Sequence, residues 1–301
     1  MNNNIKNFPL VSIIMNCYNG EAYLKESIDS ILSQTYENWE VIFWDNRSED
    51  RSAKIFKSYQ DKRLKYFYSE EHTTLYKGRN LAIEKSKGDF IAFLDTDDIW
   101  DKKKLELQMH CFNKSEVGVV YSNYWTAKKN IMNKKIYTNK QLPFGSIFNE
   151  LVDNYNIGIL TTVIRKKFYL KLVKKFDERF SIIGDYDLFM RLAKMCLFGC
   201  VQKPLATYRL HDKNLSRFTK GKELEEHEIW VSENNLNLNQ HQIKKIQKEI
   251  DSRKFINYKI NGQHKEYLNI LFGSKKNIFS IKNLIILFMP RVFLKKFLRF
   301  Y

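Results

Sequence analysis

The chain has 301 residues, 44% of them hydrophobic and 15% aromatic, enough to fill one large core or a core with an appendage; this excludes a disordered chain. Eleven glycines and four prolines exclude collagen-like and low-complexity polymers. Lysine and arginine outnumber aspartate and glutamate by 51 to 34, a formal charge of +17 that points to nucleic acid, a lipid surface or a phosphorylated substrate, although AT-rich coding DNA produces the same Lys-, Asn- and Ile-rich bias.

Short apolar runs alternate with helical patterns through the first half, the signature of βαβ units on a mostly parallel sheet. Leu10–Asn16 reads as a buried strand, and Leu24, Ile28, Ile31 and Leu32 then mark one face of a helix. Trp39–Trp44 is a second strand, followed by a helix carrying Ile55, Phe56 and Tyr59 that Ser48 can cap. Leu64–Tyr68 is a third strand. A helix near Arg79–Lys87 stops at Gly88, a natural residue just past a helix end, before a fourth strand at Phe90–Leu94. Leu105, Met109 and Phe112 mark a further helix and Val117–Ser122 a further strand. Trp125–Leu142 is irregular, a loop or hairpin. Ile159–Ile164 reads as a strand, and a helix from about Asp185 carries Leu188, Leu192 and Met195.

Beyond Ser216 the composition turns to Glu, Lys, Asn and Gln with helical periodicity, so the expected organisation is an α/β domain over 1–215 and a helical extension over 216–274. Residues 275–301 form a third segment, basic and aromatic-rich, broken by Pro290 and free of acids. It suits an anionic membrane surface; the plainer alternative is a helix pair packed on the body with its lysines pointing outward. Met1–Phe8 is polar, and no apolar run reaches the roughly 18 residues of a transmembrane helix. Four cysteines without CxxC spacing argue against a disulfide scaffold or zinc ribbon, and the expected place is a reducing cytosol, on the inner face of the membrane.

Ligands of open α/β sheets bind beyond the carboxyl ends of the strands. Two acidic turns lie there: Asp45-Asn46-Arg47-Ser48 after the second strand and Asp95-Thr96-Asp97-Asp98 after the fourth. Three carboxylates within four residues repel one another, and a divalent cation with oxygen ligands is the simplest offset. The competing explanation is that Asp98 or Asp101 caps the helix starting near Lys102.

The segment PLVSIIMNCYNGEAYLKESIDSILSQTYENWEVIFWDNRSED, followed by GRNLAIEKSKGDFIAFLDTDDIW, resembles the family 2 glycosyltransferases of GT-A fold, with similarity over most of residues 8–212. No Walker loop or GxGxxG supports another nucleotide-binding reading. The resemblance implies a Rossmann-like α/β fold and a nucleotide-sugar donor, most simply a UDP-sugar. It places Asn16, Tyr18, Asn19 and Glu21 in the first loop against the nucleoside, Asp45 and Asn46 at the pyrimidine, and Arg79 with Asn80 near the nucleotide. Asp95-Thr96-Asp97 resembles the DxD motif, with Asp95 facing the ribose, Asp97 binding a metal that bridges the diphosphate, and Asp98 close by.

Gly184-Asp185-Tyr186-Asp187-Leu188-Phe189-Met190-Arg191-Leu192 resembles the ED-Y-x-L-x-x-R-L segment, which makes Asp185 the catalytic base and leaves Gly184 where a Glu is usual. A carboxylate at a helix N-terminus is stabilised as the anion by the helix dipole, in keeping with that role. In Tyr208-Arg209-Leu210-His211 the resemblance makes His211 a metal ligand and sets Arg209 toward phosphate; imidazole leans the choice between Mn²⁺ and Mg²⁺ to manganese. The implied reaction is direct displacement with inversion, onto a hydroxyl of a lipid-linked or surface-polysaccharide acceptor. A nucleotidyltransferase, or an inactive basic protein docked on a membrane, is the alternative; lysines spread along the chain and thickening at its tail speak against nucleic acid.

Overall fold

Strand β1 (Val11–Cys17, VSIIMNC) is buried everywhere except Asn16, as a central strand covered on both faces must be. It pairs in parallel with β2 (Trp39–Asp45) on one side and β4 (Phe90–Phe93) on the other. β3 (Leu64–Tyr68), half-exposed, closes the edge beyond β2. The registers Cys17↔Asp45 and Asp45↔Tyr68 bring the carboxyl ends of these strands to one level, where the functional turns begin. Helices α1 (Leu24–Leu32), α2 (Ser52–Lys57) and α3 (Leu75–Glu84) connect them. Leu24, Ile28 and Ile31 of α1 are fully buried, and Phe56 of α2 stacks on Phe43 at 4.2 Å.

The second half of the sheet is mixed. β4 pairs antiparallel with β8 (Val163–Arg165), and β8 antiparallel with β6 (Val117–Ala127). β6 runs parallel to β9 (Leu197–Arg209), which carries the two-residue β5 (Ile99–Trp100) on its other side. The sheet order is β3-β2-β1-β4-β8-β6-β9-β5, with β7 (Lys134–Ile136) forming a hairpin on β6. α4 (Lys104–Met109), α5 (Phe148–Asp153), α6 (Lys166–Lys171) and α7 (Gly184–Ala193) complete this part.

The computed structural model describes residues 9–128, 131–212, 214, 220–235, 238–272 and 289–290. The chain divides into two compact units, residues 1–213 and 214–301. The second contains α8 (Lys220–Asn234), α9 (Gln240–Asn261) and α10 (His264–Phe272). α9 starts with a capping box between Asn239 and Gln242 and ends at Gly262, whose φ of 75° only glycine adopts at low cost. Arg253 and Lys254 of α9 pair with Glu223 and Glu228 of α8. The basic segment expected over 275–301 lies outside the described residues, apart from Met289 and Pro290. Among the described residues no helix is long and apolar enough to cross a membrane.

Several local expectations change. α3 starts at Leu75 behind a Thr74 cap and ends at Glu84, so Gly88 does not stop it. Gly88 is there for close approach: a Cβ would lie 2.6 Å from the Leu10 carbonyl oxygen and 2.8 Å from the Ser12 nitrogen. Ser48 does not cap α2, which begins at Ser52; its hydroxyl accepts from the Asn19 N–H instead. The first half of Ile159–Ile164 is a 3₁₀ turn, Ile159–Thr161, and Met195 falls beyond the end of α7. β9 is missing from the sequence reading altogether. Pro204 lacks a ladder donor, and β9 accommodates it beside register shifts at Ser122/Asn123 and Asn123/Trp125 that break the alternating pattern.

Candidate active site

The first loop leaves β1 through Asn16, whose Oδ1 is buried without a hydrogen-bond partner. Tyr18 is 56% exposed and rests on the ring of His72, with 4.3 Å between centroids. Asn19 adopts a left-handed φ of 53°; its N–H donates to Ser48 and its Oδ1 accepts from the Glu49 N–H. Gly20 passes so close to the next acidic turn that a Cβ would lie 2.6 Å from Thr96 Oγ1. Glu21 accepts from both the backbone N–H and the Nε of Arg51, which hold its carboxyl below the ordinary range. In this structure Glu21 therefore braces the loop.

Asp45 is fully buried, accepting from the Ser48 N–H at 2.8 Å and the Tyr66 hydroxyl at 2.6 Å. The Asn46 side chain takes the N–H and hydroxyl of Thr73 on Oδ1 and gives Nδ2 to the Thr73 carbonyl. Both side chains are committed to tying these loops together. The ring beside them is His72, its Nδ1 3.1 Å from the Asn46 carbonyl oxygen. No sequence signal marks His72, a single histidine in a polar loop.

The second acidic turn is held from three sides. Ser27 of α1 donates to the Thr96 and Asp98 carbonyls. Arg79 of α3, 3% exposed, donates from Nη2 to Asp95 Oδ1 and Oδ2 at 2.9 and 3.1 Å. Arg209, at the end of β9, gives its N–H to Asp98, its Nε to the Asp97 carbonyl and its Nη2 to Glu26, with its guanidinium 4.3 Å from the Tyr23 ring centre. Buried in these contacts, Arg209 shapes the turn rather than facing open space. Asp98 is buried against Arg209, whereas Asp101 meets the start of α4, its Oδ1 accepting from the Lys103 N–H, so capping accounts for Asp101 but not for Asp95, Asp97 and Asp98.

Asp97 and His211 meet with Oδ2 and Nε2 2.8 Å apart. Burial and the Asp95 charge push the Asp97 carboxyl up, against the pull of His211. Burial and the charges of Asp97 and Asp95 push Asp98 up further. Arg79 and Arg209 thus offset only part of the charge of this turn. The Asp97–His211 pair offers one oxygen and one nitrogen donor, and no group of three or more His, Cys, Asp or Glu that could hold a metal exists among the described residues. The donor set fits Mg²⁺ or Mn²⁺ bound by few protein ligands and completed by substrate phosphates and water.

Asp185 lies in the first turn of α7, its Oδ1 accepting from the Tyr186 N–H at 2.9 Å and facing the Tyr76 hydroxyl at 3.3 Å. The helix N-terminus does not set its charge state alone: burial raises its pKa more than Arg79 and these hydrogen bonds lower it. A raised pKa makes the anion a stronger base. α7 is fixed by Arg191, which pairs with Asp187 and donates to the Lys174 and Lys175 carbonyls. Asn80, expected near the nucleotide, instead spends its amide on Phe176, Glu178 and the Tyr169 hydroxyl, tying α3 to the loop before α7.

A sheet whose strand ends present an Asp-x-Asp turn, with a helix-borne carboxylate joined to it through α3, defines a glycosyltransferase of GT-A fold that takes a nucleotide-sugar donor. The fold is that of Staphylococcus aureus TarS 1-349 in complex with UDP-GlcNAc (TM-score 0.65, 19% identity, 87% of this chain and 79% of that one). It is also that of the mannosyltransferase PcManGT from Pyrobaculum calidifontis in complex with GDP-Man and Mn²⁺ (TM-score 0.61, 13% identity, 93% and 78%). The chain belongs to glycosyl transferase family 2, whose model matches residues 12–185. The Escherichia coli enzyme UDP-Glc:alpha-D-GlcNAc-diphosphoundecaprenol beta-1,3-glucosyltransferase WfgD is 34% identical over 222 residues, 71% of this chain and 82% of its own. An uncharacterized glycosyltransferase of Haemophilus influenzae is 40% identical over 204 residues, 63% and 82%.

Proposed function

We propose that this chain transfers a sugar from a UDP-sugar to a hydroxyl of a lipid-linked or surface-polysaccharide acceptor, by direct displacement with inversion. One observation carries the reading: Arg79 binds Asp95 of the donor turn and is among the charges acting on Asp185. The guanidinium bound to the donor turn thus also lends its charge to the environment of Asp185. A UDP donor and a lipid diphosphate acceptor are in keeping with the WfgD relative.

Tyr18, Asn19 and His72 would flank the nucleoside, with Asn16, Asp45 and Asn46 shaping the wall behind them, and Asp95 would take the ribose. Asp97 and His211 would hold Mn²⁺ or Mg²⁺; bound there, the cation supplies charge stabilisation for the departing diphosphate. Asp185 takes the proton from the acceptor hydroxyl as its oxygen attacks the anomeric carbon. The chain 275–301 would rest on anionic lipid at the inner face of the membrane, near a lipid-linked acceptor.

The test is thermal stabilisation by a panel of UDP-sugars with Mn²⁺, Mg²⁺ or chelator, on wild type, Asp97→Ala and Asp185→Asn. One UDP-sugar is expected to raise the melting temperature only with metal, and not in Asp97→Ala. Asp185→Asn should keep that shift while losing turnover by about 10²–10⁴-fold. Normal turnover by Asp185→Asn would remove the base from the scheme.

A further inference from the structure

The residue before the base departs from the family pattern, and the structure supplies a physical reason. A Cβ on Gly184 would lie 2.6 Å from both Cδ2 and Cε2 of Tyr76 and 2.8 Å from its Cγ, closer than real Cβ atoms approach. Gly184 has no positive φ, so its backbone does not require glycine. The Tyr76 ring does. That ring is 2% exposed, stacked on Phe176 at 5.4 Å, and belongs to α3, 109 residues away in sequence from the base it reaches. Its hydroxyl lies 2.7 Å from the Ile182 carbonyl, just ahead of α7, and 3.3 Å from Asp185 Oδ1.

We propose that Tyr76 is the positioning residue of Asp185: its ring fills the space that a Glu at 184 would need, and its hydroxyl fixes both the backbone entering α7 and the carboxylate. The inference rests on reading Asp185 as the base. One hydroxyl proton serves two acceptors, so the group couples the start of α7 to the orientation of the carboxylate. The other groups acting on Asp185 are Arg79 from α3, the Tyr186 N–H and its own N–H from α7, and Tyr155 from the loop after α5. The Tyr155 hydroxyl is buried without a hydrogen-bond partner, and its ring sits 4.9 Å from that of Tyr186. It offers Asp185 no hydrogen bond in place of Tyr76. A donor to the anion lowers a carboxyl pKa, and its removal raises it.

The experiment uses the full chain labelled with [4-¹³C]aspartate, the Asp185 signal being assigned by its loss in Asp185→Asn. In Tyr76→Phe, which keeps the ring, the Asp185 carboxyl should titrate at higher pH than in wild type. UDP release from a UDP-sugar to water should fall, by up to about 10²-fold, because the carboxylate loses its fixed orientation, with the donor-induced thermal shift unchanged. An Asp185 titration identical in wild type and Tyr76→Phe overturns the proposal. If Asp185→Asn turns over normally, the base reading fails while the NMR titration still decides whether the Tyr76 contact exists. If Asp185→Asn is inactive and Tyr76→Phe matches wild type in rate and titration, the positioning role alone fails. Gly184→Ala should lose stability and Tyr76→Ser/Gly184→Ala should lose less than the two single changes added together; strict additivity overturns the packing half of the argument.

Discussion

Arg79→Met tests how the acidic turn is neutralised. Methionine keeps most of the apolar stem among Tyr76, Phe93 and Phe176, whose ring centres lie 5.5, 6.0 and 5.9 Å from the guanidinium carbon. The charge and both hydrogen bonds to Asp95 are lost. Removing one partner of a buried ion pair costs about 3–5 kcal/mol. The Asp95 side chain is 34% exposed, so water recovers part of its solvation, and about 2–3 kcal/mol is expected. Asp95→Asn in the same background removes the orphaned charge, and the double variant should recover about 1–2 kcal/mol relative to additivity. Urea unfolding followed by tryptophan fluorescence reads this out, since Trp39, Trp44, Trp100 and Trp125 all lie in the first unit and Trp230 alone in the second. If Arg79→Met costs less than the ~1 kcal/mol of an exposed pair, or the cycle is additive, Arg79 does not offset the charge of this turn.

Asp98 predicts a pH dependence. Its folded pKa is raised, so the folded state holds its proton above the ordinary carboxylate value, and that contribution to stability, complete below the unfolded pKa, is lost as pH rises through the folded one. Asp98→Asn keeps an acceptor for the Arg209 N–H and should gain stability relative to wild type as pH rises from ~4 to ~7; parallel curves in urea melts across that range would contradict the shift. Gly88→Ala forces a methyl against backbone atoms of Leu10 and Ser12 and should cost about 1–3 kcal/mol in the same assay, while the donor-induced thermal shift stays as in wild type.

What the sequence made legible follows from how each element is encoded. β1 to β4 are short β-branched and aromatic runs closed by polar turns, and their ends were placed within a residue. β9 carries Gly199, Gln202, Lys203 and Pro204 in its middle, and its burial depends on a bulged partner rather than on alternation. α5 and α6 span six residues each, too few to show a period. The acids of the site were visible because carboxylates gather at strand ends and helix starts. Tyr76 and His72 were not: they act through contacts that exist only once α3 and its preceding loop lie against β2 and α7. Arg209 was visible yet turned inward, because its partners Glu26, Asp97 and Asp98 come from two other segments.

α3 is where these contacts converge. Tyr76, Arg79 and Asn80 stand at i, i+3 and i+4, so they share one helix face. From that face Tyr76 reaches the start of α7, Arg79 reaches the donor turn, and Asn80 reaches the loop that carries α7. On the neighbouring side Gly78 lets β1 approach, since a Cβ there would lie 2.6 Å from the Asn16 side-chain nitrogen. On the proposed reading, a displacement of α3 would therefore move the donor wall and the base together. Arg79 adds an electrostatic link of the same kind, hydrogen-bonded to Asp95 while its charge also acts on Asp185. On the proposed reading, the geometry of the reaction depends on one ten-residue helix, capped by Thr74 and joined to both the Asp95 turn and the start of α7.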